Sequence, residues 1–265
     1  MTAISWLSIA AQENYKTDTV IVSDFYSGVL AEKRRAIIHL PLNYFKDSAK
    51  QYPVMYVLDG TSQDQHTMDK LTVLSDGGLL PECIVVGIPN VRGSRNRDQT
   101  PPFMQTEVED PKSPFGKGDA FLDFIEKELI PKIDSNYRTT GYKTISGHSR
   151  GALFVLYTLL EKPELFNARF SYSAPAWRFD DILVKKVDTL LRSRAIQKKT
   201  FLFMSVGEDE NKDIMSAFKK LTASLEKHKQ KNISWSVFLA PHANHQENPL
   251  VSTARGFVEW SKYLR

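Results

Sequence analysis

An α/β fold with a mostly parallel central sheet, antiparallel strands at its N-terminal end and helices on both faces is what this sequence predicts. Three observations carry that expectation. The opening stretches DTVIVSDFY, RRAIIHLPL and YPVMYVLDG have the period-two, β-rich pattern of strands joined by short polar turns, and they read as an antiparallel set. The later runs IVVGIP, KTISGHS, RFSYSAP, TFLFMSVG and ISWSVFLAP are continuously apolar, as strands covered on both faces are. Helical-period segments at about 62–75, 118–134, 151–161, 181–193, 213–229 and 249–264 separate nearly all of these runs. Repeated β-α alternation of this kind builds a parallel sheet with helices packed on both sides.

The 265 residues suffice for a single domain spanning 1–265, with a continuous core and loops to spare for a site. A formal charge of +4, from 35 Lys plus Arg against 31 Asp plus Glu, is too small and too scattered to be a nucleic-acid footprint. No run approaches the roughly 18 apolar residues of a membrane span. Cys83 is the only cysteine, so neither an intrachain disulfide nor a thiolate metal cage can form. Its place at the head of CIVVGIP reads as a buried strand thiol. MTAISWLSIAAQENYKTD has neither a charged leader nor a full apolar segment. The expectation is therefore a cytoplasmic protein, or a periplasmic or secreted one if a leader has been removed.

In open α/β sheets, ligand chemistry collects in loops beyond the carboxyl ends of the strands. The candidate segments are LDGTS at 58–62, GIPNVRGSRNRDQTPP at 87–102, GHSRG at 147–151, SAPAWRF at 173–179, VGEDEN at 206–211 and APHANHQENP at 240–249. The 90–117 segment is long, contains four prolines and has little periodicity, which points to a functional loop.

GHSRG stands out because β-branched residues precede Gly147 and an apolar helix pattern follows Gly151. A serine hydroxyl is a weak nucleophile until it is presented and given a base. Gly-x-Ser-x-Gly at a sharp strand-to-helix turn does the presenting, here with Ser149 at the tip. The alternative for Ser149 is an ordinary helix cap. The base should be a histidine on a later strand-end loop. His39 lies in an early strand, His66 and His228 fall on helices, and His148 sits within the turn, its ring expected to point away from the hydroxyl. His242 and His245 remain. The acid should come from the loop after TFLFMSVG, where Glu208, Asp209 and Glu210 are available. A buried carboxylate there would hold the imidazole tautomer, whereas a solvated acidic loop is the plainer reading. Oxyanion donors would be the backbone N–H of Arg150 and one from the loop after the third strand, Thr61.

Taken together, YPVMYVLDG, CIVVGIPNVRGSRNRDQTPP, FLDFIEKELIPKIDSNYRT, TISGHSRGALFVLYTLLEKPELFN, SYSAPAW and HANHQENPL resemble the serine esterases of the α/β-hydrolase superfamily related to the siderophore trilactone (enterochelin) esterases and, more distantly, to S-formylglutathione hydrolase. The resemblance runs from about residue 20 to 264. It implies an α/β-hydrolase fold, Ser149 as nucleophile, His245 in preference to His242 as base, Glu210 as acid and the N–H of Thr61 in the oxyanion site. Two features depart from the pattern. Arg150 and Ala152 stand where relatives carry a small or apolar residue and a second glycine, and Arg178 stands where relatives tend to carry a second aromatic after the tryptophan.

The function expected is hydrolysis of a carboxylic ester through an acyl-enzyme, with no metal or organic cofactor. Arg95, Arg97, Arg150 and Arg178 are candidates to gather at the mouth, and Trp177 to stack on an aromatic acyl group. An aromatic or anionic ester, including the siderophore type, is the substrate class expected, with Arg97, Trp177 and Arg178 as its binding residues. Arg97 has a competing role, pairing with Asp98 to brace the long loop. An acyltransferase or thioesterase on the same triad, and a non-catalytic binding protein on a hydrolase scaffold, are the rival functions. The expected partner is a small-molecule ester, without nucleic acid or membrane span, and no pattern fixes an oligomeric state.

Overall fold

The computed structural model describes residues 19–104, 115–193 and 195–265; the opening segment read for a leader and part of the long 90–117 loop lie outside them. Eight strands form one sheet: β1 (Thr19–Ser27), β2 (Glu32–Leu40), β3 (Tyr52–Leu58), β4 (Ile84–Ile88), β5 (Thr139–His148), β6 (Ala168–Tyr172), β7 (Thr200–Gly207) and β8 (Ile233–Ala240). Their spatial order is β1-β2-β4-β3-β5-β6-β7-β8. β1 with β2 and β2 with β4 are antiparallel, and every pair from β4 through β3 to β8 is parallel.

The third of the opening strands departs from the antiparallel expectation. β3 lies between β4 and β5 and runs parallel to both, while β2 pairs instead with β4 through Ile37–His39. The physical reason is in its side chains. Val54, Tyr56 and Leu58 pack into one apolar layer and Met55 and Val57 into the opposite one, so the strand needs cover on both faces and takes a central position.

Helices supply that cover. The elements α1 (Asp64–Asp76) and α8 (Asn248–Leu264) lie over one face, where Met68, Leu71, Phe257 and Trp260 meet Phe170 and Phe203. The short α2 (Arg95–Asp98) interrupts the long loop. α3 (Gly118–Phe124) continues through a π-helical turn, Ile125–Leu129, into α4 (Ile130–Asn136), and packs with α5 (Arg150–Glu161) on the other face. α6 (Arg178–Ser193) and α7 (Lys212–Lys227) complete that layer beside β7. Phe179, Asp180 and Asp181 have φ near +55°, so regular α6 starts only after a left-handed turn, as the expected start at 181 anticipated. Cys83 is buried, and that burial pushes its thiol up to about 12. Among the described residues no helix is long and apolar enough to cross a membrane.

One buried cation holds the layer under the site together. Arg169 on β6 is fully buried and donates to the carbonyls of Thr158, Lys162, Pro163 and Phe166 and to the hydroxyls of Thr158 and Thr200. Burial lowers its pKa to about 9, which still leaves it charged at neutral pH. Three of these carbonyls close the C-terminal end of α5, where positive charge is favourable. Arg169→Met keeps the apolar stem and removes every donor. It should destabilise the fold by about 1–3 kcal/mol, because the Pro163 carbonyl loses its donor and those of Thr158, Lys162 and Phe166 each lose one of two. Denaturant unfolding measures this, and a loss below about 1 kcal/mol would refute the assignment.

Candidate active site

β5 ends at His148 and α5 begins at Arg150, leaving Ser149 as the one residue between them. Its backbone sits at φ 56°, ψ −118°, a conformation unfavourable for any residue with a Cβ. Two hydrogen bonds fix it there, Ser149 N–H to the Tyr172 carbonyl at 2.9 Å and Leu153 N–H to the Ser149 carbonyl at 3.0 Å. Gly147 makes the turn possible, since a Cβ at that position would come within 2.6 Å of the Gly151 carbonyl oxygen.

The hydroxyl so presented meets an imidazole. His245 Nε2 lies 2.9 Å from Ser149 Oγ, and its Nδ1 lies 2.7 Å from Glu210 Oε1. His245 reaches this point because Gly207, the last residue of β7, lets the 243–244 backbone approach it closely; a Cβ there would meet the Ala243 carbonyl oxygen at 2.1 Å. Of the two histidines the chain offered, His242 is exposed and faces Glu208, 3.9 Å away. Of the three acids, Glu210 is the one beside His245, with a side chain only 1% exposed.

A polar chain backs the acid. Ser173, itself at φ 54°, donates from Oγ to Glu210 Oε2 at 2.6 Å and accepts from Asn248 Nδ2 at 2.8 Å. Asn248 Oδ1 in turn accepts from Ser205 Oγ and Ser252 Oγ. Burial works to raise the Glu210 pKa, but the hydrogen bonds from His245 and Ser173 outweigh it and hold the carboxyl below its ordinary value. Glu210 is therefore an anion at neutral pH, able to orient the imidazole and stabilise its protonated form. Sequence reasoning did not single out Ser173 or Asn248. The SYSAP strand end was the available signal for the first.

The His148 ring, expected to point away from the Ser149 hydroxyl, packs against His245. The ring centroids are 4.7 Å apart, and His148 Nε2 lies 2.8 Å from the His245 carbonyl oxygen, to which it donates. Burial, and then repulsion from His245, lower its pKa to about 4, so it stays neutral and braces the backbone carrying His245.

The cleft over Ser149 and His245 has a volume of about 400 Å³, with Arg95, Arg150, Trp177 and Arg178 among its walls. The Arg178 guanidinium lies 5.2 Å from the Trp177 ring centre. Arg150 has its backbone N–H at the start of α5, where first-turn amides face along the axis rather than to a carbonyl of their own helix. Its guanidinium donates to Thr100 Oγ1 and lies over the Phe115 ring. Arg95 makes a two-pronged pair with Asp59 and also donates to the His148 carbonyl.

Two expected site residues are engaged by carboxylates in this structure. Arg97 is no wall of this cleft: its guanidinium is held by both oxygens of Glu32 and by Asp98, whose other oxygen takes Arg34. That network pins the 95–98 turn to β2, the contacts a bracing role requires. Thr61 lines a neighbouring groove with Pro89 and Asn90, and its N–H donates to Asp64 Oδ1 at 2.9 Å, so the oxyanion donor expected there is engaged by a carboxylate.

The sequence profile of the family described as "Putative esterase" matches residues 27–261. The chain is 27% identical over 239 residues to "Uncharacterized protein YbbA" of Bacillus subtilis, a match covering 88% of this chain and 89% of that protein. It is 31% identical over 153 residues to ferri-bacillibactin esterase BesA of Bacillus subtilis, which is 52% of each chain. Among solved structures, an IroE-like serine hydrolase from Shewanella oneidensis superposes with a TM-score of 0.80 at 28% identity, covering 93% of this chain and 80% of that one. The fold is accordingly that of the α/β hydrolases.

Two measurements probe this geometry. Because His148 titrates lower in the folded chain than in the unfolded one, the unfolded state binds more protons between pH 6.5 and about 4, and stability falls as pH falls through that window. Between pH 7 and 5 the loss from this group should be about 2 kcal/mol by urea unfolding, and His148→Asn should flatten that part of the profile. A profile unchanged by the substitution would remove His148 as its source. Arg97→Ala should lower Tm while shifting KM equally for charged and neutral esters; a shift selective for the charged ester would restore Arg97 to substrate binding.

Proposed function

From the premise that the chain belongs to the esterase family and is a carboxylic ester hydrolase, we propose that it works as one domain through an acyl-enzyme on Ser149, with His245 as general base and Glu210 as its orienting acid. The single observation that carries this reading is the unbroken hydrogen-bond chain from Ser149 Oγ through His245 to Glu210, at 2.9 and 2.7 Å. Ser149 Oγ attacks the ester carbonyl as His245 Nε2 takes its proton. The tetrahedral oxygen gathers negative charge and is met by the Arg150 N–H. His245 then gives the proton to the departing alcohol oxygen, the C–O bond breaks, and an acyl-serine remains. A water deprotonated by the same imidazole attacks the acyl carbon and releases the acid, returning Ser149 to its starting state. A second depression on the other side of His245, walled by Asn244, Gln246 and Asn211, offers that water a path to the base.

The substrate we propose is an ester whose acyl or alcohol part is aromatic or anionic, siderophore esters included. Arg95 and Arg178 bring positive charge to the cleft, and Trp177 supplies an aromatic wall. Relatives named for a siderophore ester, ferri-bacillibactin esterase BesA among them, support the same class.

A p-nitrophenyl ester assay tests the mechanism. Ser149→Ala should lower kcat/KM by about 10³-fold or more, and a fluorophosphonate should label wild type at Ser149 alone. Equal nitrophenol release by wild type and Ser149→Ala would reject the nucleophile. For the substrate class, Arg178→Ala should raise KM for a carboxylated aryl ester several-fold more than for its neutral analogue.

A further inference from the structure

The loop that carries Thr61 packs against the serine turn and is held from beneath by a buried pair of side chains that the triad does not use. Asp59, two residues before Thr61, approaches so closely that a Cβ on Gly151 would lie 3.3 Å from its carboxylate. Both Asp59 (φ 56°) and Thr61 (φ 89°) occupy left-handed backbone, which for a β-branched threonine is a strained state that needs outside support. Arg95, Asn90 and Gln99 hold Asp59. Thr61 is held by Asp64 Oδ1, and the other oxygen of Asp64 lies 3.0 Å from His39 Nε2. The side chains of His39 and Asp64 are 3% and 5% exposed. His39 Nδ1 has no hydrogen-bond partner among the described residues, so the ring's one polar contact is through Nε2 to Asp64. Gly87 of β4 leaves just enough room for the carboxylate, since a Cβ there would meet Asp64 Oδ2 at 2.7 Å.

We propose that the His39–Asp64 pair is the positioning device of the oxyanion loop: Asp64 keeps Thr61 in its strained conformation and holds its N–H in the resting enzyme, and the tetrahedral oxygen then competes for that N–H. When the N–H turns to the substrate oxygen, His39 keeps the released carboxylate hydrogen-bonded. The two residues touch neither substrate nor reacting atoms and act through Thr61. The inference rests on the serine reading above and adds to it a second, conditional donor beside the Arg150 N–H.

Asp64→Ala, Asp64→Asn and His39→Gln test it in the ester assay, alongside wild type and Ser149→Ala. Removing one oxyanion donor costs about 10²–10³-fold in turnover, so a misplaced one should cost somewhat less. Asp64→Ala should lower kcat about 10- to 100-fold with KM within about twofold, and slow fluorophosphonate labelling of Ser149 by the same factor. His39→Gln should lower kcat by a smaller factor with the same split. Asp64→Asn keeps an acceptor for Thr61 N–H and a partner for His39, and should recover most of the activity lost in Asp64→Ala. The proposal is overturned if folded Asp64→Ala keeps wild-type kcat and loses only Tm, if KM rises as much as kcat falls, or if Asp64→Asn is no better than Asp64→Ala. Should Asp64→Ala not fold, wild-type kcat in His39→Gln overturns it alone. Turnover by wild type and its absence in Ser149→Ala, measured together, keep failure of this inference separate from failure of the triad.

Discussion

Glu210's buried carboxylate is the constraint around which this rim of the sheet is arranged. An anion almost wholly removed from water is tolerable only if its lone pairs are filled, and here His245 and Ser173 fill them from two sides. Each partner is held in turn. Ser173 is fixed by Asn248 at the start of α8, and His245 by the hydrogen bond from His148 to its carbonyl. The imidazole therefore has little freedom to rotate away from the hydroxyl, and the carboxylate has no reason to take up a proton near neutrality. Pre-organisation of this kind lowers the cost of assembling the reacting groups at the moment of attack.

The arginines divide by what they face. Arg34 and Arg97 neutralise Glu32 and Asp98 and tie β2 to the 95–98 turn, and Arg169 closes the end of α5. Arg95 does both jobs, bracing Asp59 while lining the cleft. Arg178 lies over Trp177 at the same rim. Arg34, Arg95 and Arg97 are thus each matched to a carboxylate inside the protein.

Much of this was legible in the sequence wherever the signal is local. Each expected helix begins and ends within three residues of its bounds, and the serine turn declares itself through Gly147, Gly151 and the change of period around them. Non-local choices were harder to read. β3 carries its opening tyrosine and valines like any strand, and only its two-sided burial places it between β4 and β5. Arg97 and Arg95 are separated by one residue, and which one faces the cleft depends on Glu32 and Asp59, which reach them from other parts of the sheet. The contact between His148 and His245 was not legible because the two residues lie 97 positions apart and meet only through the fold.

The order in which the triad appears along the chain has a temporal consequence. Ser149 and His245 are separated by 96 positions. At ribosomal rates of about 5–20 residues per second, Ser149 is synthesised roughly 5–20 s before His245. During that interval the nascent polypeptide carries the serine but no imidazole to activate it. On the proposed mechanism, turnover would have to wait until the segment from His245 to Asn248 has folded against Ser173.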